Sequence, residues 1–161
     1  MVAFARGEGL DVEQADALAY FQSLQDGSLG GIFAAQLVEH LPPSHLLRLL
    51  ELTHAKLRPG GILVVETINP LAPLALRDYF ADLTHAQPLV PETLELLARQ
   101  AGFGDVAIRY VNEPPHEERL QPVELPPGAD FDPARAALGH NVARLNEQLF
   151  GPRDYAVLAT R

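Results

Sequence analysis

Two stretches of this chain, Ile32 to Val38 and Ile62 to Val65, are almost continuously apolar. Continuous apolarity, rather than strict alternation, is the pattern of a strand covered on both faces in a parallel sheet. Between them Pro42 and Pro43 open a helix, where a missing amide hydrogen costs little. Leu46, Leu49, Leu50 and Leu57 then recur at i, i+3, i+4 and i+11 and give that helix one apolar face. Pro59-Gly60-Gly61 reads as its stop and as the turn into the second strand.

The same logic extends to both ends. Val2 to Gly9 reads as the last turns of a helix closed by glycine, Leu10 to Ala15 as a short strand, and Ala17 to Leu24 as a short helix. Asp26-Gly27-Ser28 is a turn signal. Leu71 to Phe80 follows Pro70 as a helix, and Pro91 starts another in which Leu94, Leu97, Ala98 and Ala101 share a face before Gly102. Asp105 to Val111 alternates as a strand does, and residues 112–133 carry six prolines and several acids, the mark of a loop or lid. Asp132-Pro133 starts a helix carrying Leu138, Val142, Leu145 and Leu149, and Tyr155 to Thr160 is a last strand. Strands alternating with helices, with no internal repeat, predict one α/β domain over 1–161 with an open sheet.

Composition narrows the function classes. At 161 residues with 47% hydrophobic residues, the chain can bury a core and is not disordered. A net charge of −9 speaks against nucleic acid or an anionic membrane as partner. The absence of cysteine removes disulfides, thiolate metal sites and a cysteine nucleophile. No segment approaches the ~20 apolar residues needed to span a bilayer, and a cytoplasmic location is the expectation.

Taken in order, Gly30-Gly-Ile-Phe-Ala-Ala-Gln-Leu-Val-Glu-His-Leu41 and Lys56-Leu-Arg-Pro-Gly-Gly-Ile-Leu-Val-Val-Glu-Thr67 resemble the middle of a class I methyltransferase that uses S-adenosylmethionine. Asp78-Tyr-Phe-Ala-Asp-Leu-Thr-His-Ala-Gln-Pro-Leu-Val-Pro-Glu92 and the ending Leu145 to Ala159 are similar to the type 11-like, small-molecule members associated with glycan and O-antigen modification. The resemblance implies a Rossmann-like sheet in the order 3-2-1-4-5-7-6 with the last strand antiparallel, and the cofactor at the carboxyl ends of the strands. On that scheme Leu10–Ala15 is strand 3, Ile32–Val38 strand 4, Ile62–Val65 strand 5, Asp105–Val111 strand 6 and Tyr155–Thr160 strand 7. Strands 1 and 2, with their glycine-rich turn and ribose-binding acid, have no counterpart, since only 15 residues precede Asp16. The expectation is therefore an N-terminally truncated member that binds S-adenosylmethionine weakly or not at all.

The resemblance also implies a site. Asp16 and Ala17 stand where relatives hold adenine, although Asp16 is equally a good helix cap. Ala35 and Gln36 lie at the end of strand 4, where small residues admit a cofactor or simply permit close packing. His40, one step further on, faces the transfer site in relatives and is either a general base for an acceptor hydroxyl or a structural histidine. Asp82 and His85 fall on the loop over the acceptor pocket and with His40 form a base pair or a cation site. Three dispersed candidates lack tight ligand spacing, so no metal is expected. His45, His54, His116 and His140 read as surface residues, and no G-x-S-x-G elbow supports a hydrolase. The expected function is methyl transfer to a hydroxyl of a sugar or other small molecule, and the alternative is a non-catalytic α/β module. A strand 4 left without strands 1 and 2 exposes an apolar edge, which predicts a homodimer through that edge.

Overall fold

In a computed structural model, the described residues are 2–125, 127–128 and 132–161. The helices are α1 (Val2–Gly7), α2 (Ala17–Ser23), α3 (Pro43–Lys56), α4 (Pro73–Ala81), α5 (Pro91–Gln100) and α6 (Asp132–Leu149). The strands are β1 (Leu29–Ala35), β2 (Leu57–Ile68), β3 (Val106–Val111) and β4 (Asp154–Thr160), and they form one sheet in the order β1-β2-β4-β3. β1 pairs parallel with β2, while β4 runs antiparallel to both β2 and β3. This is the 4-5-7-6 part of the expected order, with the antiparallel strand in the expected place. The fold is a Rossmann-like α/β fold with an open mixed sheet of four strands.

Proline at the first turn starts α3, α4 and α5, as the sequence indicates. The apolar faces of α3 and α5 lie on one side of the sheet, where Leu46, Leu50 and Leu94 meet Leu63, Val65 and Val157 of β2 and β4. Period-two alternation in β2 is therefore sharp: Leu63, Val65 and Thr67 are buried, and Ile62 on the other face is 48% exposed. α6 forms as expected, but none of its described residues is buried.

Three expectations need correction. Leu10–Ala15 is not a strand; it is irregular and largely exposed, because it is half polar and no strand beside it offers a backbone to pair with. Neither Ile32–Val38 nor Ile62–Val65 is a strand covered on both faces. β1 runs from Leu29 to Ala35, Phe33 is 66% and Ile62 48% exposed, and no helix among the described residues covers them on that face. Pro59-Gly60-Gly61 does not end the helix before a separate strand. β2 already begins at Leu57, and the proline and glycines bulge out of its pairing with β1 between Leu29 and Gly31. Gly60 takes φ +76°, where glycine is at ease, and its amide donates to the Arg161 carbonyl at 2.9 Å.

Candidate active site

The chain leaves β1 abruptly. Gln36 has φ 49°, a left-handed conformation uncommon outside glycine. It is held there by its amide, which donates to the Glu66 carbonyl at 2.9 Å, and by its side-chain amide, which donates to Asp154 Oδ1 at 3.3 Å. The reversal turns Val38–His40 into a single 3-10 turn across the carboxyl end of β2. Val38 and Glu39 are buried and His40 is half-buried.

Glu39 is only 1% exposed. Its Oε2 accepts a hydrogen bond from Thr67 Oγ1 at 2.8 Å, whereas its Oε1 is buried with no partner among the described residues. A buried carboxylate with one neutral partner is an expensive arrangement. Its charge is felt nearby: burial first, and then Glu39, push the phenols of Tyr79 and Tyr155 above their ordinary range.

The facing wall is the loop after α4. It is tied to the turn by the Ala86 amide, which donates to the Glu39 carbonyl at 2.7 Å. Asp82 Oδ1 accepts from the Thr84 amide at 2.8 Å and from Thr84 Oγ1 at 2.7 Å. These bonds, followed by the charges of His85 and His40, hold the Asp82 carboxyl below the usual carboxylate range. Thr84 Oγ1 also lies 2.9 Å from His40 Nδ1. A hydroxyl has one proton, and here it goes to the ionised Asp82; His40 Nδ1 is thus the donor to Thr84, and Nε2 carries the lone pair. His85 is fixed in the same tautomer, because its Nδ1 lies 2.6 Å from the Tyr79 backbone carbonyl, which can only accept. The His85 ring stacks on Tyr79 at 4.6 Å and meets the His40 ring at 4.6 Å.

The structure therefore brings His40 and His85 together, and it joins Asp82 to His40 only through Thr84. Glu39, Thr67 and Thr84 escape the sequence reading. One signal was available for Glu39: an acid directly after an apolar run has few places to go except inward, against a partner. Thr67 and Thr84 carry no such mark.

The residues expected to hold the cofactor are not gathered in this way. Asp16 caps α2, accepting from the Ala19 amide at 2.8 Å, and its side chain is exposed. Ala17 lines an open cleft of about 420 Å³ together with Asp11, Glu13, Ala15, Tyr20 and Phe21. Ala35 and Gln36 sit at the end of β1, and among the described residues no hydrogen bond joins them to Asp16 or Ala17. His45 and His116 are exposed as expected, but His54 packs edge-on against Phe103 at 5.1 Å.

No protein-family model and no curated protein matches the chain. Solved structures do. A SAM-dependent methyltransferase from Archaeoglobus fulgidus is 33% identical, with a TM-score of 0.89, over 100% of this chain and 72% of that one. A SAM-dependent methyltransferase from Thermotoga maritima, described as a possible histamine N-methyltransferase, is 20% identical with a TM-score of 0.64, over 99% of this chain and 68% of that one. An S-adenosylmethionine-dependent methyltransferase from Mesorhizobium loti is 21% identical with a TM-score of 0.58, over 100% and 76%. The last two are similar in fold alone.

Proposed function

We propose an acceptor chemistry on one premise: the chain belongs to the S-adenosylmethionine-dependent methyltransferases. That membership follows from 33% identity along the whole chain to the Archaeoglobus fulgidus protein. The proposed reaction is methyl transfer to a hydroxyl of a sugar or another small molecule in the manner of the glycan-associated members, in the cytoplasm. The observation that carries it is the pair of imidazoles at the carboxyl end of β1, each with Nδ1 engaged and Nε2 free. The sheet's carboxyl edge is where open α/β folds bind their ligands.

S-adenosylmethionine supplies an electrophilic methyl on a sulfonium sulfur. What this chain supplies is a proton acceptor and a fixed orientation. The acceptor hydroxyl sits against His40 Nε2, which takes its proton as the oxygen is methylated. Thr84 and Asp82 hold the ring in the tautomer that leaves this nitrogen basic, and they stabilise the imidazolium that results. His85, beside it, provides a second acceptor that orients the hydroxyl. Replacing His40 with alanine in a methylation assay is expected to lower kcat by about 10²–10⁴-fold with little change in Tm. Equal losses of rate and stability would mean that the ring only props up the turn.

The residues present fit one side of the cofactor. An aromatic pair, Tyr20 and Phe21, with centroids 5.9 Å apart, stands beside carboxylates and the exposed start of α2, an arrangement suited to a flat base with an exocyclic amine. Beyond β1 no strand lies among the described residues to wall in a ribose and an amino acid. We therefore read binding of S-adenosylmethionine by this chain alone as weak, with Asp16, Ala17, Ala35 and Gln36 as its contacts. Calorimetry with S-adenosylhomocysteine tests this, and micromolar affinity would overturn it.

The unpaired edge of β1, with Phe33 exposed beside it, supports a homodimer joined edge to edge. Sedimentation velocity checks this directly, and a monomer at high concentration would sink it. No helix among the described residues is long and apolar enough to cross a membrane.

A further inference from the structure

Three side chains that can each offer a lone pair stand together just past the carboxyl end of β1. The Glu39 carboxylate and one ring nitrogen from each of His40 and His85 lie within 4.8 Å of one another. Thr84 and the Tyr79 carbonyl engage the two Nδ1 atoms, so Nε2 is the nitrogen that each ring has to offer. Glu39 Oε1 has no hydrogen-bond partner among the described residues although the side chain is 1% exposed. A buried carboxylate oxygen without a partner is costly, and a cation held between it and the two ring nitrogens would offset that cost. We propose that this corner is a binding site for one divalent transition-metal ion, ligated by Glu39, His40 and His85.

The chemistry of the donor set selects the ion. Two imidazoles and one carboxylate suit zinc, iron, manganese or cobalt, whereas magnesium and calcium take oxygen ligands. Metal-bound histidines commonly donate their other ring N–H to a carbonyl or a carboxylate-linked group, which fixes the tautomer. Both arrangements are present: Tyr79 O for His85, and Thr84 backed by Asp82 for His40. Ligand bonds of about 2.0–2.2 Å require the three groups to draw somewhat closer than they stand. The Ala86–Glu39 backbone bond keeps the two segments in register. Three protein ligands leave a coordination position open. A bound ion uses the His40 nitrogen that otherwise receives the proton, so the two roles exclude each other. The ion site goes beyond methyl transfer, because binding requires neither cofactor nor acceptor.

The test is a Co²⁺ titration of the complete, EDTA-treated chain, followed by visible absorption and calorimetry. One Co²⁺ per chain with d–d bands is expected, and Zn²⁺ should displace it and raise Tm. His85→Asn and His40→Asn should each weaken binding at least tenfold, and Thr84→Val, which touches no ion, by about 10–100-fold. His116→Asn should bind as the parent does. Glu39→Gln is buried and can disturb folding, so the two histidine variants carry the test. No Co²⁺ binding at millimolar concentration would overturn the site. Undiminished binding by the His40→Asn/His85→Asn double variant, or loss of binding in His116→Asn, would overturn it as well.

Discussion

The two ends of the candidate site are built differently. Around Glu39, each wall is held by contacts within the chain: Thr67 from β2, the Ala86 amide from the loop after α4, and Val38 seated in the core beneath. Around Asp16, the helix cap is local, the cleft is open, and no residue of α2 is buried. A corner whose polar groups are positioned by elements distant in sequence is pre-organised for chemistry. The segment around Asp16 satisfies its backbone locally, and it meets the core only through the partly buried Ala17, Leu18 and Phe21. The corner around Glu39 is therefore fixed by contacts between distant segments, whereas the hydrogen bonding around Asp16 is local.

The most forceful way to break the contrast is through the core under the corner. Leu50→Ala removes a side chain 1% exposed on α3 and should cost about 2–5 kcal/mol in denaturant unfolding, while Leu10→Ala, at 60% exposed, should fall within about 0.5 kcal/mol. Comparable losses from both would show that the N-terminal segment is docked after all.

Thr67→Val comes next. It strips Glu39 of its hydrogen-bond donor and should cost about 1.5–3 kcal/mol, with Thr67→Ser close to the parent. If valine is tolerated without loss, the Thr67–Glu39 hydrogen bond contributes nothing to stability.

Asp16 sharpens the comparison from the other side. Asp16→Ala should cost about 1 kcal/mol as a lost cap, and Asn should restore it, since either side chain accepts the Ala19 amide. Should Asn also leave affinity for S-adenosylhomocysteine intact, the cap is the whole of the residue's role.

The smallest effect is acid-dependent. Lys56 Nζ lies 2.6 Å from Asp26 Oδ1, and that hydrogen bond, followed by the charge of Lys56, lowers the Asp26 pKa. A depressed carboxyl contributes stability above its unfolded pKa, about 3.9, and loses it as pH falls through the folded value. Asp26→Asn should therefore flatten the pH dependence of Tm below pH ~4 and leave pH 7 nearly unchanged, because the group is exposed and screened. A flat profile in the parent would show that the pair contributes nothing.

The sequence by itself determined the elements whose local signals agree with their burial. Proline starts, leucine spacing in α3, two apolar runs and the alternation over 105–111 located α3, α5 and the strands, although β2 begins at Leu57, ahead of the run that marked it, and strand order followed from the family resemblance. It named His40 and His85, whose rings the structure brings within 4.6 Å of each other. It misplaced Leu10–Ala15, because a strand is a property of two backbones and the pattern of one says nothing of its partner. It also missed Glu39, Thr67 and Thr84. Those residues lie on three separate segments, and only the left-handed turn at Gln36 and the docking of the 82–90 loop bring their atoms within bonding distance. Hydrogen-bond directions, tautomers and an orphaned carboxylate oxygen depend on distances of a few ångströms between segments far apart in the chain. No residue pattern encodes such distances locally, so the tertiary structure alone decided them.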